Sequence, residues 1–490
     1  MNHPGRFTQR LAQTAIALAA VSLIAACGGS DDPAPIPEET RAQDTRTFTA
    51  DATVTTHSAM AAAPGDVVDM ATTSRWAGVL GGAAYRVEVP ANWNGKLVMY
   101  AHGYAGTGAA LGVSNPSIRR YLIQNGYAWA ASSYSKNYYD VKAGVEDTNA
   151  LANEFVKIAA KNSRTLAAPT KIFITGHSMG GHITAAAIED EAQKYAINKV
   201  KYSGAVPMCG VVGDNELFNE FGAIQMAAQA LSGVPSYPFA KWSEISTMVQ
   251  ANLFTSFGFS PTPITPTANG VKFLSVVQNL TGGQRPMFDL GVSIGGSFPN
   301  IWFSLGGDGT ISGILNKNVL DTTAFSYTIT GDAAGTTALN AAVQKITPTA
   351  DANRLRTDGL RWIPVTNGEF KIPVVTIHTL GDLFVPFSME QVYQKRVAAK
   401  GNGGWLVQRA IRGVSHCDFT VAEQVTAFDD MLKWEAGGAK PAGDDVMTAA
   451  TVAAPTYGCT FTKNTLGPDE SGATKALRPA AVALSAACPG

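Results

Sequence analysis

The chain alternates short apolar runs with longer amphipathic stretches. Apolar runs at 96–101, 127–132, 171–175, 199–206, 372–377 and 405–410 read as buried strands. Leu151, Phe155 and Ile158 form one stripe of a helix expected over 145–160. An Ala-rich helix is expected over 182–195, and an amphipathic one over 422–436 follows the last run. Strands alternating with helices predict an α/β fold with a mostly parallel sheet flanked by helices. The alternation stops over 211–363, where short helical stretches such as 223–231 mix with Gly-Gly pairs at 282, 295 and 306. A structureless loop of about 150 residues is foreign to compact domains, so this stretch predicts a large cap or insertion subdomain. It divides a core expected over 51–210 and 364–440, and a C-terminal extension of weak periodicity occupies 441–490.

The first residues follow a different pattern. Arg6 and Arg10 precede an apolar stretch from Leu11 to Ala26, broken only by Gln13, Thr14 and Ser22. It is too short and too polar for a membrane span of about 20 residues and reads as a signal peptide over 1–26. Its exit, Ile24-Ala25-Ala26-Cys27-Gly28, resembles a bacterial lipobox, in which the Cys becomes the lipidated first residue of the mature protein. Residues 27–50 begin with a Gly-, Asp- and Pro-rich tether. The expectation is an exported chain that is either secreted or anchored through acyl chains on Cys27, and Gly28 in place of an acidic residue resembles the signal of lipoproteins sorted to the outer rather than the inner membrane.

Composition narrows the function classes. The 490 residues are 46% apolar and 15% charged, enough for a sizeable core. A formal net charge of −1 supplies no field for nucleic acid, and no Lys/Arg run marks a footprint for it. No C-x-x-C, H-E-x-x-H or phosphate-binding Gly-rich loop occurs, so no metal and no cofactor is expected. Beyond Cys27 there are four cysteines, and in an oxidising compartment an even count suggests two disulfides. Three pairings exist. Proximity favours Cys459–Cys488, closing a loop of roughly 30 residues worth about 3–4 kcal/mol, and Cys209–Cys417 would follow.

Gly176-His177-Ser178-Met179-Gly180 fits G-x-S-x-G, between an apolar run and an Ala-rich stretch. That strand–turn–helix context lifts a serine hydroxyl above a sheet at a helix N-terminus, and small residues must flank it. A serine needs an adjacent base. Of seven histidines, only His378 and His416 come late enough for the order Ser, Asp/Glu, His. His378 ends a strand and reads as structural. His416 follows the last strand and is the expected base. Asp382, just past 372–377, is the expected acid, with Asp214 as its rival and Asp418 read as a cap of the following helix. The expected oxyanion hole is the Met179 amide together with that of Tyr104, after the His102-Gly103 turn.

Together the His102-Gly103 turn, the elbow at Ser178, the Gly381-Asp382-Leu383-Phe384-Val385-Pro386 loop and the late His416 resemble the α/β-hydrolase superfamily, over roughly 86–206 and 371–434. Within it the chain looks like secreted bacterial esterases and lipases. The resemblance implies carboxylic ester hydrolysis through Ser178, His416 and Asp382, on a small or polymeric ester. The stretch 415–420 is also similar to tannase and feruloyl esterase relatives, where a Cys beside the His is bonded to one beside the nucleophile. Residue 177 is His here, so the partner of Cys417 would be Cys209. Met287, Phe288 and Trp302 to Leu305 could line an acyl pocket, although packing inside the insertion accounts for them more simply. Two other classes remain. A peptidase on the same fold would need an acid for the substrate ammonium, and Glu216, Glu220 and Asp289 are candidates that otherwise read as surface charges. A ligand-binding lipoprotein would lack a reactive Ser178.

Overall fold

The computed structural model describes residues 37–50 and 56–488. The signal peptide and Cys27 lie outside the described residues. Among these, no helix is long and apolar enough to cross a membrane. An eight-stranded sheet runs through the centre. Its strands are β1 (Ser74–Leu80), β2 (Ala83–Val89), β3 (Lys96–Ala101), β4 (Ala128–Ser132), β5 (Lys171–His177), β6 (Gly204–Met208), β7 (Val374–Thr379) and β8 (Leu406–Ile411). The spatial order is β1-β2-β4-β3-β5-β6-β7-β8. From β4 to β8 every pairing is parallel; β1 and β2 form an antiparallel hairpin on one edge. Strands β4, β6, β7 and β8 are buried at every position, as expected of a sheet covered on both faces.

Helices α1 (Val141–Lys161) and α2 (Met179–Ala187) pack on the sheet and on each other. Asp140 caps α1 by accepting the Ala143 N–H. A Cβ at Gly144 would lie 2.2 Å from Ile183, so glycine sets how closely the two helices approach. Between β6 and β7 the chain forms mainly helices, including α3 (Glu216–Leu231) and α4 (Ser297–Ser304). These enclose an aromatic cluster of Trp242, Phe254, Phe273, Phe298 and Trp302. Helices α5 (Ser388–Ala399) and α6 (Val421–Glu435) follow β7 and β8. The C-terminal extension, as far as it is described, meets α6 where buried Arg478 pairs with Glu423 at 2.6 Å.

Several sequence expectations need correction. The strand expected over 199–206 starts only at Gly204. The helix expected over 182–195 is two helices, because Glu189 is extended (ψ 153°) and turns its carboxylate onto the Gly368 and Glu369 amides. Asp418 does not cap α6. Thr420 does, in a reciprocal box with Glu423, while Asp418 accepts the Val414 N–H. The β1–β2 hairpin turns at Gly81-Gly82, both with positive φ, a local sequence signal that apolar runs do not carry.

Candidate active site

Ser178 stands between β5 and α2 with φ 58° and ψ −123°. Its N–H donates to Met208 O on β6, and its carbonyl accepts the Gly181 N–H. The flanking glycines are sterically required. A Cβ at Gly176 would sit 2.4 Å from Gly180 O, and one at Gly180 would sit 2.1 Å from Ala101 O. β3 therefore lies directly against the turn, and its end carries His102 and Gly103. A Cβ at Gly103 would come within 3.2 Å of the Ser178 Cβ. His102 holds this second loop: its ring nitrogens face Gly103 O at 2.6 Å and Ser133 O at 3.1 Å, and it stacks on Tyr134. Met179 is the first residue of α2, where a backbone N–H has no acceptor within the helix.

Asp382 and His416 meet across the tips of β7 and β8. Asp382 Oδ2 lies 2.6 Å from His416 Nδ1, while Oδ1 accepts the Phe384 and Val385 N–H groups at 2.9 and 3.0 Å. The carboxylate is fully buried and both its oxygens are engaged. The other imidazole nitrogen, Nε2, is 3.4 Å from Cys417 Sγ, and the ring packs edge-on against Phe384. Among the described residues no hydrogen bond joins Ser178 Oγ to His416. Phe384 bridges the two, since it lines the cavity into which Ser178 opens.

The strand order, the glycine-flanked serine between β5 and α2, and the Asp and His after β7 and β8 decide the architecture. This is the α/β-hydrolase fold. No family model matches the chain. It is 22% identical to an o-phthalyl amidase of Xanthobacter agilis over 406 residues, 72% of this chain and 85% of that one. Among solved structures it is similar to feruloyl esterase B from Aspergillus oryzae, at 14% identity and TM-score 0.40, over 78% of this chain and 86% of that chain. It is also similar to the Pyrococcus horikoshii acylaminoacyl peptidase, at 11% identity and TM-score 0.37, over 76% of this chain but only 43% of that one.

Among the described residues two disulfides are present, Cys209–Cys417 and Cys459–Cys488. They fit an oxidising compartment outside the cytosol. In this α/β-hydrolase fold Cys209 directly follows β6, next to the strand position that holds the Ser178 amide, and Cys417 follows His416. The first bridge thus joins the histidine loop to the strand beside the serine. Cys209, His416 and Cys417 are the one group among the described residues spaced like metal ligands. Its sulfurs are spent on each other, leaving a single imidazole as donor.

The remaining candidates sit elsewhere. Asp214 is paired with Arg396 at 2.6 Å and accepts the Thr366 N–H. His177 bonds Tyr100 and Gln424, and burial pushes its pKa down to about 4. His182 bonds Tyr139 and Pro364 O. His378 is closer to the acid than its position in the sequence suggested. Its Nε2 lies 2.7 Å from Val385 O and 4.0 Å from Asp382 Oδ2, and Glu390 flanks Nδ1 at 3.4 Å. Arg285, buried, donates to Leu380 O beneath the same loop. No local motif marks Arg285; it reaches the loop only through the folding of the insertion.

The cavity at Ser178 has a volume of about 350 Å³ and is lined by apolar groups such as Val211, Leu217, Phe218, Phe221 and Phe384. None of its lining residues is charged. Phe303, Ser304 and Leu305 do face it, whereas Trp302 and Phe288 are core and Met287 packs in the C-terminal cluster. Glu220 is not a surface charge. It is 3% exposed, accepts from Ser388 Oγ, and burial lifts its pKa to about 8. It does not line the cavity.

Proposed function

We propose that the chain is a serine hydrolase that cleaves carboxylic esters bearing uncharged acyl groups. The observation that carries this reading is the serine on a strained turn at the wall of an apolar cavity, with a partly exposed His416 held at 2.6 Å by buried Asp382 on the neighbouring strand tips. Ser178 Oγ attacks the ester carbonyl as His416 Nε2 takes its proton. The carbonyl oxygen gains the negative charge, and the Met179 and Tyr104 amides receive it. His416 returns the proton to the departing alkoxide, leaving an acyl-serine. Water, deprotonated by the same imidazole, then releases the acid. Asp382 fixes the tautomer with Nδ1–H toward itself, so that Nε2 is the basic atom.

The chemistry of the cavity narrows the substrate. A free ammonium, as a substrate of an aminopeptidase carries, finds no carboxylate in the lining. An acyl group with a carboxylate beside the reacting carbonyl finds no Lys, Arg or His there. Burying either charge unpaired costs several kcal/mol. Amide cleavage of a neutral substrate is the second reading, favoured by the similarity to an amidase.

The test is turnover of p-nitrophenyl acetate, butyrate and palmitate beside the matching p-nitroanilides. Ser178→Ala should lower kcat on the preferred substrate by at least about 10³-fold. Ester turnover exceeding anilide turnover supports the first reading and the reverse supports the second. Wild-type protein that turns over neither series and takes no fluorophosphonate label at Ser178 would end both.

A further inference from the structure

Large apolar side chains exposed singly are ordinary on a protein surface. Phe259 and Phe303 are not single. Phe259 is 47% exposed and Phe303 65%, and their rings stack with centroids 5.9 Å apart at 23°. Phe303 comes from a helix whose other aromatic side chains are buried, whereas Phe259 stands in an exposed loop. α4 turns Phe298, Ile301 and Trp302 into the aromatic cluster and leaves Phe303 on its outer side. Phe259 belongs to the loop between the short strands Phe254–Ser256 and Thr265–Pro266. Phe303 also lines the cavity at Ser178, as does Tyr104, itself 42% exposed. An exposed aromatic shelf is therefore continuous with the cavity that holds the serine.

We propose that the Phe259–Phe303 pair is a second substrate subsite, taking a flat, uncharged aromatic group that projects from the cavity once the other half of the ester is seated at Ser178. The proposal rests on the hydrolase reading above and goes beyond it by naming a bipartite substrate: one compact apolar end inside the cavity, one aromatic end on the shelf. Offset stacking and edge contacts suit such a group, and neither requires a charge. A second copy of the chain is the weaker occupant. The two rings offer only about 200 Å² of exposed surface, against about 800 Å² per partner in a stable interface. Continuity with the reacting serine points to substrate instead.

The experiment compares kcat/KM for 2-naphthyl butyrate and ethyl butyrate in the full-length protein, Phe259→Ala, Phe303→Ala and Phe303→Tyr. The naphthyl-to-ethyl ratio should fall about tenfold in each alanine variant and recover in Phe303→Tyr. A ratio within twofold of wild type in both alanine variants overturns the subsite. A second arm does not depend on turnover. In the Ser178→Ala background, adding Phe259→Ala and Phe303→Ala should weaken the Kd for 2-naphthyl butyrate about tenfold, and an unchanged Kd overturns the proposal. Absent turnover and absent fluorophosphonate labelling in wild type defeat the hydrolase reading alone, because the binding arm still reads the shelf. A concentration-dependent dimer in size-exclusion chromatography that Phe259→Ala abolishes, with the substrate ratio unmoved, would assign the shelf to a second copy and overturn the proposal.

Discussion

Ser178 occupies backbone that L residues rarely adopt, φ 58° with ψ −123°. A strained position of this kind costs about 1–3 kcal/mol and persists only where the surroundings enforce it. Here the enforcement is visible: the Ser178 N–H is tied to Met208 O, and two glycines allow β3 and the turn to touch. Alanine keeps the strain because it keeps a Cβ, whereas glycine removes it at the cost of a freer unfolded chain. Ser178→Gly is therefore expected to be more stable than Ser178→Ala by about 1 kcal/mol, with both inactive. Urea denaturation midpoints measure the difference, and equal midpoints would show that the turn is not strained. The elbow was legible in the sequence because its cause is local, small residues at fixed offsets around one serine. Asp382 and His416 were legible from their order after the last two strands. The companions of Asp382 were not. His378 lies only four residues before Asp382, and the turn after β7 leaves the two 4.0 Å apart, whereas only the packing of the insertion brings Arg285 onto Leu380 O.

At the scale of elements, the buried parallel strands were legible because each is a short apolar run with glycine near its end. The β1–β2 hairpin was not, since one face of an edge strand meets water and its runs are mixed: β1 is buried at only one of seven positions. The insertion also resisted reading. Its helices pack on one another through aromatic residues, without the repeat that a sheet imposes. The two disulfides divide along the same line. Cys209–Cys417 spans 208 residues and ties the loop of His416 to the strand beside Ser178, while Cys459–Cys488 spans 29 and staples the C-terminal extension. Loop entropy assigns them about 5 and about 4 kcal/mol, similar contributions to stability. Their contributions to function should differ sharply. Replacing Cys209 and Cys417 together with alanine is expected to lower kcat at least tenfold with little change in KM, because the imidazole loses its register with the serine while the cavity stays intact. Replacing Cys459 and Cys488 should lower the melting temperature and leave kcat at 25 °C within twofold. Equal kcat losses in the two double variants would show that the first bridge only stabilises the fold.

The whole molecule carries few charges, and several of them lie inside it. Glu189 and Glu220 are 1% and 3% exposed, and burial is the main cause that pushes both pKa values up to about 8. For Glu220 the environment is lopsided: one oxygen accepts from Ser388 while the other has no partner among the described residues. On the acid side, burial holds His57 and His177 down near 4. The two pairs act in opposite directions. From the usual carboxylate value up to about 8, the folded chain keeps protons on the two glutamates that the unfolded chain has released. Their contribution is thus fully present at low pH and is lost as pH rises through 8. Between about 4 and 6.5 the unfolded chain instead protonates the two histidines, so their contribution is lost as pH falls. In the range where both act, the effects oppose each other. Above pH 6.5 the glutamates act together with His378, whose pKa burial lowers but the neighbouring Glu390 raises to a net increase, so that its contribution is also lost as pH rises. The urea midpoint is therefore expected to fall between pH 6.5 and 8 and then level off. Glu220→Gln, which keeps an acceptor for Ser388 but cannot ionise, should make that slope shallower. A midpoint that stays flat or rises from pH 6.5 to 8 would mean that these carboxyls ionise in the folded chain without penalty. The buried Arg285 near Glu220 would then be the group that compensates the charge, and Arg285→Met would restore the fall.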